Sequence, residues 1–147
     1  MKEEFTLPQA NLSYIPNFLQ PDIAEKVFHT LYSQTNWIQE PIKIFGKEMM
    51  QPCLTHLFGE KSYTYSNITM NPDPFPETLQ LLREKLENFT NNRFNVCLAN
   101  LYRDGQDSMG WHSDDEKGLG INPVIASISL GGARMFHLQH KTKKELK

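Results

Sequence analysis

The chain has 147 residues, 39% hydrophobic and 22% charged, with a formal net charge of −2. This length suffices for one domain with a sizeable core, and the balance is that of an ordinary globular protein. The charge excludes a strongly basic nucleic-acid binder but leaves room for a local basic face.

Met1-Lys-Glu-Glu-Phe lacks the apolar segment of a signal peptide. No apolar run approaches the roughly 20 residues of a membrane helix. The expectation is a soluble intracellular protein, cytoplasmic or nuclear, with no membrane partner. Cys53 and Cys97 have no CxxC partner and are too few for a disulfide framework, so two free thiols are expected, one of them buried in a strand. Lys141-Thr-Lys-Lys-Glu-Leu-Lys is the one dense basic run and reads as a solvated surface segment.

In chain order, residues 21–34 read as a helix. Proline suits the first turn, Asp22 and Glu25 suit the helix dipole, and Ile23, Val27 and Leu31 form an i, i+4 stripe with Ala24 and Phe28 beside it. Residues 37–52 read as short strands around a turn at Gly46. Asn71-Pro-Asp-Pro-Phe-Pro interrupts regular structure, and a second helix spans about 77–88, with Leu79, Leu82, Leu86 and Phe89 on one face.

The period then changes to two. Phe94, Val96, Leu98, Asn100 and Tyr102 share one side of a strand, and that side is apolar at its start and polar at its end, as a strand leading into a pocket would be. Residues 124–130 and 134–140 read as two further strands joined by Gly131-Gly132. Helices first and strands later predict an α+β fold with the sheet as its functional core.

The chemistry gathers in Asn100-Leu-Tyr-Arg-Asp-Gly-Gln-Asp-Ser-Met-Gly-Trp-His-Ser-Asp-Asp-Glu. His112-Ser113-Asp114 is an HxD, whose two side chains project to the same side of an extended backbone. An imidazole and a carboxylate so placed can share a metal, as in the two-histidine, one-carboxylate triad of non-haem iron(II) oxygenases. The tripeptide alone is weak, because a surface histidine beside an acidic turn reads the same way. Its context, an NxY strand end before it and Ser127-Ile-Ser-Leu-Gly-Gly after it, strengthens the metal reading.

In these ordered motifs the chain resembles the AlkB family of iron(II)/2-oxoglutarate dioxygenases. NxY is followed by a Gly/Asp-rich loop, HxDDE, then Pro123-Val-Ile-Ala-Ser-Ile-Ser-Leu-Gly with an Arg-x-Phe segment. Gln51-Pro-Cys-Leu-Thr, Phe58-Gly-Glu and Ser62-Tyr-Thr-Tyr-Ser-Asn-Ile-Thr-Met resemble the nucleic-acid repair branch. The resemblance runs from about Trp37 to His140.

The resemblance implies a double-stranded β-helix, or jelly roll, with N-terminal helices. Residues 1–92 would hold the helices and a nucleotide-recognition lid, and residues 93–147 the first part of the core. It makes His112 and Asp114 catalytic iron ligands and Asn100 and Tyr102 hydrogen-bonding partners of 2-oxoglutarate. It places Tyr63, Tyr65, Asp115 and Glu116 at the substrate base. The implied cofactors are Fe(II), 2-oxoglutarate and O2. The implied partner is alkylated DNA or RNA, with 1-methyladenine and 3-methylcytosine as bases, and the full-length domain is expected to be a monomer.

The family's second histidine ligand and its 2-oxoglutarate-binding arginine lie further downstream than Lys147. His29, His56, His137 and His140 are not expected to replace that ligand, nor Arg134 that arginine. The expectation is one part of a longer enzyme, with the last core strands missing. Several relatives carry arginine where this chain has Cys53, a change that bears on substrate preference. Two other readings stay open. One is a non-enzymatic nucleic-acid-binding or regulatory remnant, blind to iron and 2-oxoglutarate. The other is a metal-dependent hydrolase using His112 and Asp114.

Overall fold

The structure, a computed structural model, describes residues 2–44, 47–60, 63–65, 68–114 and 117–143. The chain divides into two compact units, one formed by Met1–His29 with Ile128–Lys147 and the other by Thr30–Ser127.

In the first unit, β1 (Glu3–Leu7) and β2 (Ala10–Tyr14) form an antiparallel hairpin. Its two-residue turn, Pro8-Gln9, carries Gln9 at φ 63°. This hairpin corrects the expectation that helices come first. Both strands are exposed along almost their whole length, so no buried face imposes the alternation that marks a strand in sequence.

Helix α1 (Pro21–Gln34) begins in this unit with the predicted bounds. Val27 and Leu19 are buried, whereas Ile23 of the predicted stripe is exposed. Residue 131 lies at φ +77°, and a Cβ there would meet the Phe28 ring at 3.1 Å. Glycine is therefore required twice over, by backbone conformation and by close approach.

Residues 124–130 and 134–140 are not strands, which corrects the prediction for both segments. A strand exists as half of a hydrogen-bonded ladder, and among the described residues no strand runs beside either one. Their large side chains are correspondingly open to solvent, with Met135 83% and Phe136 75% exposed.

The second unit contains the expected hairpin, β3 (Pro41–Ile44) with β4 (Lys47–Met50), paired Pro41↔Met50 to Ile44↔Lys47. The turn at Gly46 lies outside the described residues. It also contains β5 (Leu54–Gly59), β6 (Tyr63–Tyr65), β7 (Ile68–Met70), α2 (Glu77–Thr90) and β8 (Val96–Leu101). The strands β6 and β7 pair antiparallel, as do β5 and β8. With β1–β2 and β3–β4, the described strands make four two-stranded sheets. Helices and antiparallel strands together fit the α+β expectation.

The core lies on β5. Thr55, His56, Leu57 and Phe58 are all buried, so both faces of this strand are covered. One edge pairs with β8, from Leu54↔Leu101 to Gly59↔Val96. Along the other edge Ile38 and Thr55 exchange N–H···O bonds of 3.0 and 2.8 Å, and Asp73 bridges to Leu57 and Gly59 at 3.0 and 2.9 Å. The His56 ring contacts the Asn36 carbonyl through Nδ1 at 2.8 Å and the Asp73 carboxylate through Nε2 at 2.9 Å. His56 is thus a structural side chain of β5.

Helix α2 runs two residues beyond the predicted end. It buries Leu79 and Leu82 and stops at Asn91, whose left-handed conformation (φ 53°, ψ 35°) is a common helix terminator. Glu87 then receives the Phe94 backbone N–H at 2.9 Å and Arg93 at 3.0 Å. The bond from Phe94 is the main cause that lowers the Glu87 pKa, and the link aligns the chain for β8.

Neither cysteine is in a disulfide. The more buried one is Cys53, which precedes β5, and not the strand residue Cys97. Burial raises the Cys97 thiol pKa to about 11. Its folded pKa thus exceeds its unfolded one, so its contribution to stability is constant below pH ~9 and is lost as pH rises through about 11. Native protein is expected to leave Cys97 unlabelled by a thiol reagent at pH 8 over times that fully label the urea-unfolded chain, with folding stability declining between pH 9 and 11. Leu57→Ala is expected to cost ~2–5 kcal/mol in urea denaturation, whereas Met135→Ala stays within about 0.5 kcal/mol.

Candidate metal and cofactor site

Strand β8 delivers the first part of the site. Asn100 is its penultimate residue and is exposed, opposite fully covered Thr55 in the register. Tyr102 follows the strand and is half-buried. The expected change from apolar to polar along one strand face is present, since Leu98 pairs with Leu57 and Asn100 with Thr55. Thr55 donates its hydroxyl to Gln51 Oε1 at 3.1 Å, and Cys53 Sγ stands 3.8 Å from Asn100 Oδ1.

After Tyr102 the chain is held by a side-chain bracket. Arg103 donates Nε and Nη2 to Asp107 Oδ2 and Oδ1 at 2.8 and 2.9 Å, and its backbone N–H to Oδ2 at 2.9 Å. Asp104 Oδ1 receives the N–H of Gln106 at 2.8 Å and of Asp107 at 3.3 Å. A bidentate guanidinium–carboxylate pair fixes orientation as well as distance. The Asp107 hydrogen bonds chiefly raise the Arg103 pKa, securing its charge. The sequence carries the signal, opposite charges four residues apart in a Gly/Asp-rich loop, but neither residue is among the predicted site residues.

The bracket leads to the HxD. His112 Nδ1 lies 2.8 Å from the Gly110 carbonyl. A carbonyl only accepts, so Nδ1 donates in this contact, and Nε2 is the ring nitrogen turned toward Asp114. Nε2 stands 3.5 Å from Asp114 Oδ1, and both side chains are partly open to solvent. A fixed imidazole tautomer and a carboxylate facing one another match the donor chemistry of an iron(II) site. They are the two residues that the expected triad draws from this segment. Among the described residues no group of three or more His, Cys, Asp or Glu side chains is arranged to hold a metal ion.

Three of the other histidines have contacts of their own: His29 faces Glu25 at 3.8 Å, His56 is bonded in the core, and His140 contacts Gln9 at 3.0 Å. Tyr63 and Tyr65 occupy β6, opposite Met70 and Ile68, and their side chains lie outside the described residues. Asp115 and Glu116 lie outside them altogether.

A profile of the 2OG-Fe(II) oxygenase superfamily matches residues 11–147, and the chain belongs to that superfamily. It is 42% identical over 131 residues to alpha-ketoglutarate-dependent dioxygenase alkB homolog 3 of Bos taurus, covering 88% of this chain and 46% of the relative. The human protein of that name is 40% identical with the same coverage. The DNA oxidative demethylase ALKBH2 of Arabidopsis thaliana is 32% identical over 142 residues, covering 92% of this chain and 45% of the relative. The resemblance to the AlkB family is thereby borne out, and the chain spans about half the length of the curated relatives it matches. Among the described residues no helix is long and apolar enough to cross a membrane.

Asp107→Ala removes the acceptor of three hydrogen bonds. It is expected to bring the Arg103 amide to the hydrogen-exchange rate of an open loop while the β8 ladder stays protected. Equal protection in variant and parent would show that the bracket does not organise the loop.

Proposed function

We propose that this chain carries the iron(II)- and 2-oxoglutarate-binding part of an AlkB-type dioxygenase that demethylates alkylated bases, such as 1-methyladenine and 3-methylcytosine, in DNA or RNA. The observation that carries this reading is the HxD geometry, with His112 fixed through Gly110 and Nε2 presented to the Asp114 carboxylate. The superfamily match supplies the cofactor class. The finer fold reading is a jelly-roll core in which β5 and β8 are neighbours, with β6 and β7 in a lid over the substrate.

His112 and Asp114 would hold the iron. Bound iron(II), with 2-oxoglutarate and O2, supplies oxidation of the N-methyl carbon, with succinate and CO2 as co-products. The hydroxymethylated nitrogen then loses formaldehyde and the unmodified base remains. Asn100 and Tyr102 have hydrogen-bonding groups suited to the oxygens of 2-oxoglutarate. A base reaches such a site only after leaving its stack, and Tyr63 and Tyr65 are proposed to receive it by stacking worth ~1–3 kcal/mol per base. Asp115 and Glu116 would favour the positive charge of a methylated adenine or cytosine.

Anaerobic titration of the chain with iron(II) and 2-oxoglutarate tests this reading through the visible charge-transfer band of the bound pair. The band is expected in the parent protein and lost in His112→Ala and in Asp114→Ala. A folded chain that gives no band lacks a working cofactor site, and the binding-remnant reading takes its place.

A further inference from the structure

Cys53 is 0% exposed and immediately precedes β5. The register pairs Leu54 with Leu101 and Thr55 with Asn100, so Thr55 and Asn100 share a sheet face, and Cys53 stands one residue before the end of this ladder. Thr55 lies directly across from Asn100, but its hydroxyl is given to Gln51. Cys53 is the residue that reaches the Asn100 side chain, with Sγ 3.8 Å from Oδ1.

The chemistry of this contact is directional. A neutral thiol is a weak donor, and a carboxamide has one accepting atom, its oxygen. An S–H so placed favours the Oδ1 end of Asn100 facing the thiol, which leaves the NH2 as the opposite end of the amide. A ligand that presents carboxylate and keto oxygens offers acceptors only, so it needs that NH2 end.

We infer that Cys53 is a positioning residue: its buried thiol fixes the amide orientation of Asn100 so that the NH2 is presented to the 2-oxoglutarate oxygens. This inference rests on the proposed role of Asn100 in cofactor binding.

The test compares the parent chain with Cys53→Ala, which removes the donor, and Cys53→Ser, which restores one. NMR of the Asn100 carboxamide in cofactor-free protein reads the contact directly. The parent and Cys53→Ser should share a dispersed pair of Nδ2 protons, and Cys53→Ala should move them to the values of a solvated asparagine. Anaerobic 2-oxoglutarate affinity with iron(II) reads its consequence. Cys53→Ala should bind between about twofold and tenfold more weakly, the range of one hydrogen bond, while Cys53→Ser recovers parent affinity.

Melting curves identify a variant that fails to fold, in which case Cys53→Val replaces Cys53→Ala as the donor-free form. Unchanged carboxamide signals in a folded donor-free variant would overturn the inference, as would Cys53→Ser binding as weakly as that variant. If the parent itself binds no 2-oxoglutarate, the cofactor reading fails, and the carboxamide signals alone decide whether Cys53 orients Asn100.

Discussion

The antiparallel pairing of β5 with β8 is the constraint on which the candidate site depends. Its register sets Thr55 against Asn100 and Leu57 against Leu98, so it decides which residues share a face and where that face turns polar. A slip of one residue would exchange the two faces. Such a slip is opposed from the far edge, because Ile38 and Asp73 bond the β5 backbone and His56 links the strand to Asn36 and Asp73. A strand held on both edges and covered on both faces is the rigid support that a site at its rim requires.

Beyond β8 the chain is held by side chains and not by a ladder. Arg103 and Asp107 clamp the first turn of the loop, Asp104 caps it from within, and the Gly110 carbonyl sets the imidazole of His112. These contacts are local, spanning two to four residues each. Loop geometry is thus written into the same short segment that carries the HxD. It is anchored at one end to a strand whose position is fixed by residues far away in sequence.

This division between local and distant contacts explains how much of the molecule is legible in its sequence. Both helices, the β3–β4 hairpin and β8 follow from periodicity and punctuation, because each carries its own signal. The HxD and NxY are legible because their residue types restrict the chemistry they can perform. The β1–β2 hairpin is not, since its exposed faces leave no pattern. The role of His56 is hidden as well, because Asn36 and Asp73 lie far from it in sequence and become its neighbours only through tertiary structure. In sequence Cys53 stands out only as a position where several relatives carry arginine. In the structure it lies fully covered beside Asn100, a placement that depends on a register no single segment reveals.

The two mispredicted strands bear on the same point from the other side. Residues 124–130 hold three β-branched residues against one in residues 96–101, yet only the latter are a strand. The difference is not propensity but the presence of a partner: β8 has the edge of β5 beside it, and residues 124–130 and 134–140 have no ladder neighbour among the described residues. β-propensity measures how well a side chain fits a pleated, half-buried surface, and that surface must exist before the preference can act. With Val124, Ile125, Met135 and Phe136 open to water, these segments keep the composition of core strands without the burial that would stabilise them. Periodicity therefore identifies which residues could line a sheet, while the register of an existing edge decides which of them do.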